Sequence, residues 1–168
     1  GGAARVEDRS GSWESGWGLH QSYEGPWRDL VHQAGRVLYS LSFQPAGAVC
    51  AAATTSLPES VGGGRNWDYR YSWVRDASFT IEALWVAACP DEVDDFFEYI
   101  TTSAAASVGR GADLQIMFGI GGERDLTERE LGHLPGWRDS APVRVGHGAW
   151  TQRQLDVYGE LLNAWSRL

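Results

Sequence analysis

The sequence predicts an all-α fold, on three observations. Four segments repeat apolar residues at helical spacing, helices outnumber strands in every stretch that can be read, and long loops rather than hairpins separate the helices. Such a chain packs helix on helix and leaves its loops to build a site at one end.

Residues 1–25 are rich in Gly, Ser and charge without a sustained period, and read as a linker or the end of an upstream domain. Pro26 at a first helical position opens a helix over 26–43, with Trp27, Leu30, Val31, Ala34, Leu38 and Leu41 on one face and Pro45 beyond it. A second helix, 74–89, follows from Val74, Ala77, Ile81, Leu84, Trp85 and Ala88, and Pro90 stops it. A third, 91–108, has Asp91 as N-cap, a stripe of Val93, Phe96, Phe97, Ile100 and Ala104, and Gly109 and Gly111 at its end. The stretch 109–150 is too long for a featureless loop. Its alternation of Leu114, Ile116, Phe118 and Ile120 predicts a small antiparallel β-ribbon with Val143 and Val145, and a short helix over 127–131. The last helix, 151–168, opens on a Thr151/Gln154 capping box and carries Leu155, Tyr158, Leu161, Leu162 and Trp165.

With 168 residues, 43% of them apolar and nine Trp, the chain can bury one core. It begins without Met and stops at Leu168 inside a helical pattern, which suggests a piece of a longer protein, so the first residues say nothing about targeting. The sequence fixes no compartment, and no apolar run is long enough to span a bilayer. All 14 basic residues are Arg, which rules out Schiff-base chemistry and a phosphate-loop lysine within this stretch. Cys50 and Cys89 lie in apolar surroundings and read as small buried hydrophobes rather than a disulfide. His20, His32, His133 and His147 are isolated and read as surface or loop histidines, so no metal or other cofactor is expected. No G-x-S-x-G elbow or G-x-G-x-x-G loop is complete.

The most informative stretch is RNWDYRYSWVRD, from Arg65 to Asp76. Rings occupy its odd positions (Trp67, Tyr69, Tyr71, Trp73) and polar groups the even ones (Asn66, Asp68, Arg70, Ser72). In an extended chain that places a row of rings opposite a row of hydrogen-bonding groups, with Arg75 and Asp76 just beyond, in the first turn of a helix. A pyranose matches this pattern, because it has C–H faces to stack and a rim of hydroxyls for bidentate charged partners. Two rival readings are a strand that buries its ring face in the core and a single-stranded nucleic-acid platform. A net charge of −8 with dispersed Arg argues against nucleic acid. A capping Asp beside a surface Arg is the plain alternative for Arg75 and Asp76.

This block, the run AGAVCAAATTSLPESVGGG before it, and LQIMFGIGGERDLTERELGHLPGWRDSAPVRVGHGAWTQRQLDVYGELLNAW after it resemble the first part of the catalytic domain of glycoside hydrolase family 15, over roughly residues 26–168. That family includes glucoamylases, glucodextranases and bacterial and archaeal trehalases. The resemblance implies an (α/α)6 barrel, of which 26–168 would be the first part, and inverting hydrolysis of an α-glucosidic bond in a disaccharide or oligosaccharide. A carboxylic acid and a carboxylate about 6.5–9.5 Å apart carry out such a reaction, with no metal. Carried over by position, Arg75 and Asp76 match the pair that holds the glucosyl hydroxyls, Trp73 and Tyr69 the rings walling the pocket, and Asp68 the acid of the same block. Gln154 and Asp156 match a Q-x-D element that reads first as support.

The catalytic Glu pair of the family lies downstream of these residues, so none of them is assigned as acid or base and the isolated chain is expected to be inactive. His147 stands where many prokaryotic members have Asn. Partial helical packing also predicts exposed apolar faces and poor solubility for the isolated chain. A carbohydrate-binding protein without hydrolysis and a purely structural helical domain are the alternatives.

Overall fold

The computed structural model describes residues 22–86, 90–108 and 113–166. Among them four α-helices and three two-stranded antiparallel ladders form the regular structure. The helices are α1 (Arg28–Ser40), α2 (Val74–Val86), α3 (Pro90–Val108) and α4 (Asp156–Trp165). The ladders pair β1 (Ser42–Phe43) with β2 (Ala48–Val49), β3 (Ser72–Trp73) with β4 (Met117–Phe118), and β5 (Arg129–Glu130) with β6 (Arg144–Val145). Most of the 1–25 segment, His20, Ala88, Cys89, Gly109 and Gly111 lie outside the described residues.

Helix α2 is the central element and packs against α1, α3 and α4. Its Val74, Ala77, Ile81 and Leu84 are buried as their spacing predicts, and α3 meets them with Val93, Phe96, Ile100 and Ala104. Loop residues Leu114, Ile116, Met117 and Phe118 close the core from one side. Burying each of the large side chains stabilises the fold by roughly 1.5–3 kcal/mol. Tyr99 on α3 buries its ring here too and donates its hydroxyl to the Gly119 carbonyl at 2.5 Å, which anchors the turn after β4. Burial pushes the Tyr99 phenol up to about 12.

Four local expectations are corrected. Pro90 opens α3 rather than only ending α2, so Asp91 lies inside the first turn instead of capping it. Met117 and Phe118 pair with Trp73 and Ser72, not with Val143 and Val145. Residues 127–131 form no helix, because Arg129 and Glu130 pair with Val145 and Arg144. Thr151 ends a 3-10 turn (Gly148–Thr151), α4 starts only at Asp156, and Gln154 caps nothing.

The apolar stripes of the outer helices also differ from their expected burial. At α1 the fully buried residues are His32 and Gly35; of the expected stripe Leu38 and Leu41 pack partly buried against the core, while Trp27 and Leu30 are exposed. In α4 Val157 and Ala164 face α2, whereas Leu155, Leu162 and Trp165 are exposed, as is Trp85 of α2. No described helix is long and apolar enough to cross a membrane. Expressed as these 168 residues, the chain should bind a hydrophobic dye such as ANS and self-associate in analytical ultracentrifugation. A monomer that leaves the dye dark would contradict this.

Candidate functional site

Residues 66–71 run extended before β3, but they bury the opposite face from that of a core strand. Asn66, Asp68 and Ser72 are completely buried, while Trp67 and Tyr71 are half-buried and Tyr69 is exposed. The chain is held by backbone bonds from Ala51, Ala52 and Ser56 to the carbonyls of Tyr71, Tyr69 and Trp67, all at 2.9 Å.

Burying a polar row is tolerable only when its groups are bonded. Asn66 donates to the Ser140 carbonyl at 2.8 Å and accepts from Arg144 Nη1 at 2.7 Å. Asp68 takes Arg70 through both oxygens, Nε to Oδ1 and Nη2 to Oδ2, each at 2.8 Å. That bond is the main reason the Arg70 guanidinium is held above its ordinary value. Asp68 is thus sealed beneath the strand and tied to an arginine two residues along the same face. Ser72 Oγ, and Trp73 Nε1 from the ring row, are buried without a hydrogen-bond partner among the described residues.

Arg144 joins the strand to the 128–145 segment. Its Nε reaches Glu128 Oε1 at 3.1 Å, its Nη1 also meets the carbonyls of Gly64 and Asn66, each at 3.2 Å, and its guanidinium lies 4.7 Å from the centre of the Trp67 ring. Its backbone N–H donates to Ser56 Oγ at 2.7 Å, and its carbonyl accepts from Thr55 Oγ1 at 2.7 Å.

Directly after β6 the chain turns at Gly146, which has φ 87 and sits where an added Cβ would stand 2.3 Å from the Thr127 carbonyl oxygen. Its N–H donates to the Tyr71 hydroxyl at 2.9 Å. Burial, followed by the nearby Asp68 charge, raises the Tyr71 phenol. The turn delivers His147 to the ring row, with ring centres 5.0 Å from Trp73, 5.8 Å from Tyr69 and 5.9 Å from Trp67. His147 caps the 3-10 turn by accepting the Ala149 N–H on Nδ1 at 3.2 Å, and Glu128 Oε2 takes the Gly148 N–H at 3.2 Å. Burial lowers the His147 pKa from 6.5, and Arg144 adds to this against the opposing charges of Glu128 and Asp68. His147 is thus a loop histidine, though a buried one, whereas His32 is neither a surface nor a loop residue: it lies in α1, buried, with Nε2 3.1 Å from the Tyr23 carbonyl.

Of the anticipated site residues, Trp73 and Tyr69 meet around His147. Arg75 points to the start of α4, where Nη1 donates to Asp156 Oδ2 at 2.8 Å and to Gln154 Oε1 at 3.1 Å. This contact holds the Asp156 carboxyl below its usual range. Gln154 also lines a cleft of about 230 Å³ with Asp113, Leu114, Arg153, Leu155 and Tyr158. Asp76 is exposed and diverges from Arg75 into a groove of about 270 Å³ with Leu38, Leu41, Val49, Cys50, Ala51, Phe79 and Thr80. Its carboxylate has no side-chain partner among the described residues, and the first turn of α2 favours its charge. Cys50 is half-buried and unpaired by disulfide, with its thiol raised by burial. No group of three His, Cys, Asp or Glu among the described residues could hold a metal ion.

A sequence model of the family described as Glycosyl hydrolases family 15 matches residues 28–168. The chain belongs to that family. Relatives of this family 15 chain include a trehalase of Mycolicibacterium smegmatis, 44% identical over 162 residues, which cover 96% of this chain and 24% of the relative. A trehalase of Mycobacterium tuberculosis is 45% identical over 140 residues, 83% of this chain and 21% of its own length. A trehalase of Thermoplasma acidophilum is 35% identical over 160 residues, 95% and 26%. The chain thus spans about a quarter of the length of the curated relatives it matches. No solved structure matches it significantly.

Replacing Arg144 by Met in this family 15 chain removes the charged partner of Glu128 Oε1 and Asn66 Oδ1, and should lower the unfolding free energy in denaturant by about 3 kcal/mol. An unchanged unfolding midpoint would remove Arg144 from its central place. The His147 shift sets a pH dependence with a definite sign. A histidine whose folded pKa is lowered binds its proton more readily when unfolded, so stability should fall as pH drops through about 6.5 and level off below the folded value. Comparing unfolding midpoints from about pH 8 to about pH 5 should show this slope reduced in His147→Asn. Identical slopes in both proteins would assign the effect to another group.

Proposed function

We propose that the complete protein hydrolyses an α-glucosidic bond with inversion, trehalose being the substrate that the names of its relatives favour, and that this chain supplies the part gripping the glucosyl unit. Residues 26–168 would then be the first part of an (α/α)6 catalytic domain, with 1–25 a linker or the end of an upstream domain. Exo-release of glucose from α-glucan ends is the related activity to compare.

One observation carries the reading: an aromatic row held open by a buried polar row. Tyr69 and the half-buried Trp67 offer flat apolar surface, with Trp73 packed behind them in the core, at a wall that Asn66, Asp68 and Arg144 keep from collapsing inward. Stacking a pyranose C–H face there removes apolar surface from water, and the hydroxyl rim then needs donors and acceptors close by. Arg75 is oriented by Gln154 and charge-balanced by Asp156, which leaves guanidinium N–H groups for hydroxyl oxygens. Asp76 has an uncommitted carboxylate for hydroxyl protons. Asp68 acts from beneath, by fixing Arg70 and the strand. Closing the site over both Arg75 and Asp76 requires substrate to bridge the two directions in which they leave α2.

The reaction itself falls to two carboxyl groups that this chain does not supply. One, protonated, gives its proton to the leaving oxygen; the other takes a proton from water attacking the opposite face of the anomeric carbon. The isolated chain would bind sugar weakly and hydrolyse nothing.

In the complete protein, Asp76→Ala should lower kcat/KM for trehalose by about a hundredfold, as expected for losing a charged partner of two hydroxyls. Stability should change only within about 0.5 kcal/mol, the range of a surface substitution. Proton NMR of the first turnovers of the unaltered protein should show newly released β-glucose, the inverted anomer. Sugar binding without turnover would instead identify a carbohydrate-binding protein, and a fold lost with Asp76 would make that residue structural.

A further inference from the structure

We infer that His147 is a specificity-determining residue, whose Nε2–H donates a hydrogen bond to one hydroxyl oxygen of a glucoside stacked on Tyr69 and Trp67, the accessible rings beside it. This inference rests on the glucoside reading and adds to it a donor that neither the sequence pattern nor the Arg75–Asp76 pair contains.

The tautomer follows from the cap. Because Nδ1 accepts the Ala149 N–H, the proton of the neutral ring sits on Nε2. The ring is only 9% exposed and is surrounded by the rings of Trp67, Tyr69 and Trp73. No hydrogen-bond partner for Nε2 exists among the described residues, and the atom is not among the buried orphans, so it keeps contact with solvent. The indole N–H of Trp73, edge-on to His147, differs: it is sealed from solvent with no acceptor among the described residues and is not offered to a ligand.

The wall therefore presents an N–H without a protein counterpart among the described residues, that of His147 Nε2 at its solvent edge. An occupant that relieves this must bring acceptor oxygens at its edge while laying apolar surface on the rings. A pyranose does both, whereas an alkyl chain supplies no acceptor. The imidazole is also well fixed for such a contact, because the Gly146 turn is tied to Tyr71 and Glu128 clamps the Gly148 N–H. Burial keeps the ring in its neutral form near neutral pH, so the bond is one between uncharged groups.

The test is His147→Asn in the complete protein. Asn is a good N-cap and preserves the bond from Ala149, but its side chain is too short to reach the sugar. Its melting temperature should match that of the unaltered protein, while kcat/KM for trehalose falls about tenfold, the effect of one lost neutral hydrogen bond. Across a set of monodeoxytrehaloses the difference between the two proteins should vanish for the analogue lacking the accepting hydroxyl and persist for the others. His147→Ala serves as a second variant, with the same analogue dependence and a lower melting temperature from loss of the cap. An unchanged kcat/KM, or one uniform deficit across every analogue, overturns the role of His147 and leaves the glucoside reading standing. An unaltered protein that cleaves no α-glucoside overturns both.

Discussion

The arrangement depends on the pairing of Arg144 with the buried polar face of residues 66–72. A strand with alternating rings normally turns the rings inward, since that removes the most apolar surface from water. Here the inward positions hold an amide, a carboxylate and a hydroxyl, and Arg144 meets the first of these while packing its guanidinium on Trp67. Its hydrogen bonds to Gly64 and Asn66 join segments about 80 residues apart in sequence, and the one to Glu128 ties in a segment 16 residues away. Without that cation the same sequence would gain by rolling its rings into the core, and the wall around His147 would be lost.

Helix α2 links this wall to the charged groups. Trp73 ends β3 and Val74 begins α2 with no intervening residue, so the ring wall and the first helical turn form one rigid unit. Core packing of Val74, Ala77, Ile81 and Leu84 fixes the helix, and the helix fixes the directions of Arg75 and Asp76. Adjacent residues on a helix diverge by about 100°. This explains why Arg75 meets α4 while Asp76 faces the Phe79 groove, and why the two can share only a ligand large enough to reach both.

Periodicity located α2 and α3 well, because both are buried along one face and their stripes are read directly from spacing. For α1 and α4 the same signal misled. Part of each apolar set points outward, Leu30 in α1 and Leu162 and Trp165 in α4, because burial is decided by neighbours that spacing does not encode. Pairing of β3 with β4 joins residues more than forty positions apart, and 129–130 entered a strand because of a partner at 144–145; neither is written in local propensity. The capping-box reading failed because Gln154 is used by Arg75 instead. The ring row was legible as a pattern, but not that Trp67, Tyr69 and Tyr71 stay at least partly exposed while Trp73 joins the core, since that depends on tertiary partners such as Arg144. His147 was visible only as an unusual residue after Gly146, and the cage that gives it meaning is tertiary.

Positions 146 and 147 differ sharply in what they can tolerate. Gly146 has no room for any side chain against Thr127 and a backbone conformation that L-residues avoid, so it is fixed in any descendant of this sequence. The next residue needs only an acceptor for Ala149, a condition that Asn, Asp, Ser or Thr also meets. Selection can therefore exchange the group projecting into the ring wall one residue at a time, on a loop whose path does not move. Under the role proposed for His147, divergence in the sugars accepted would accumulate at the second position while the first stays silent.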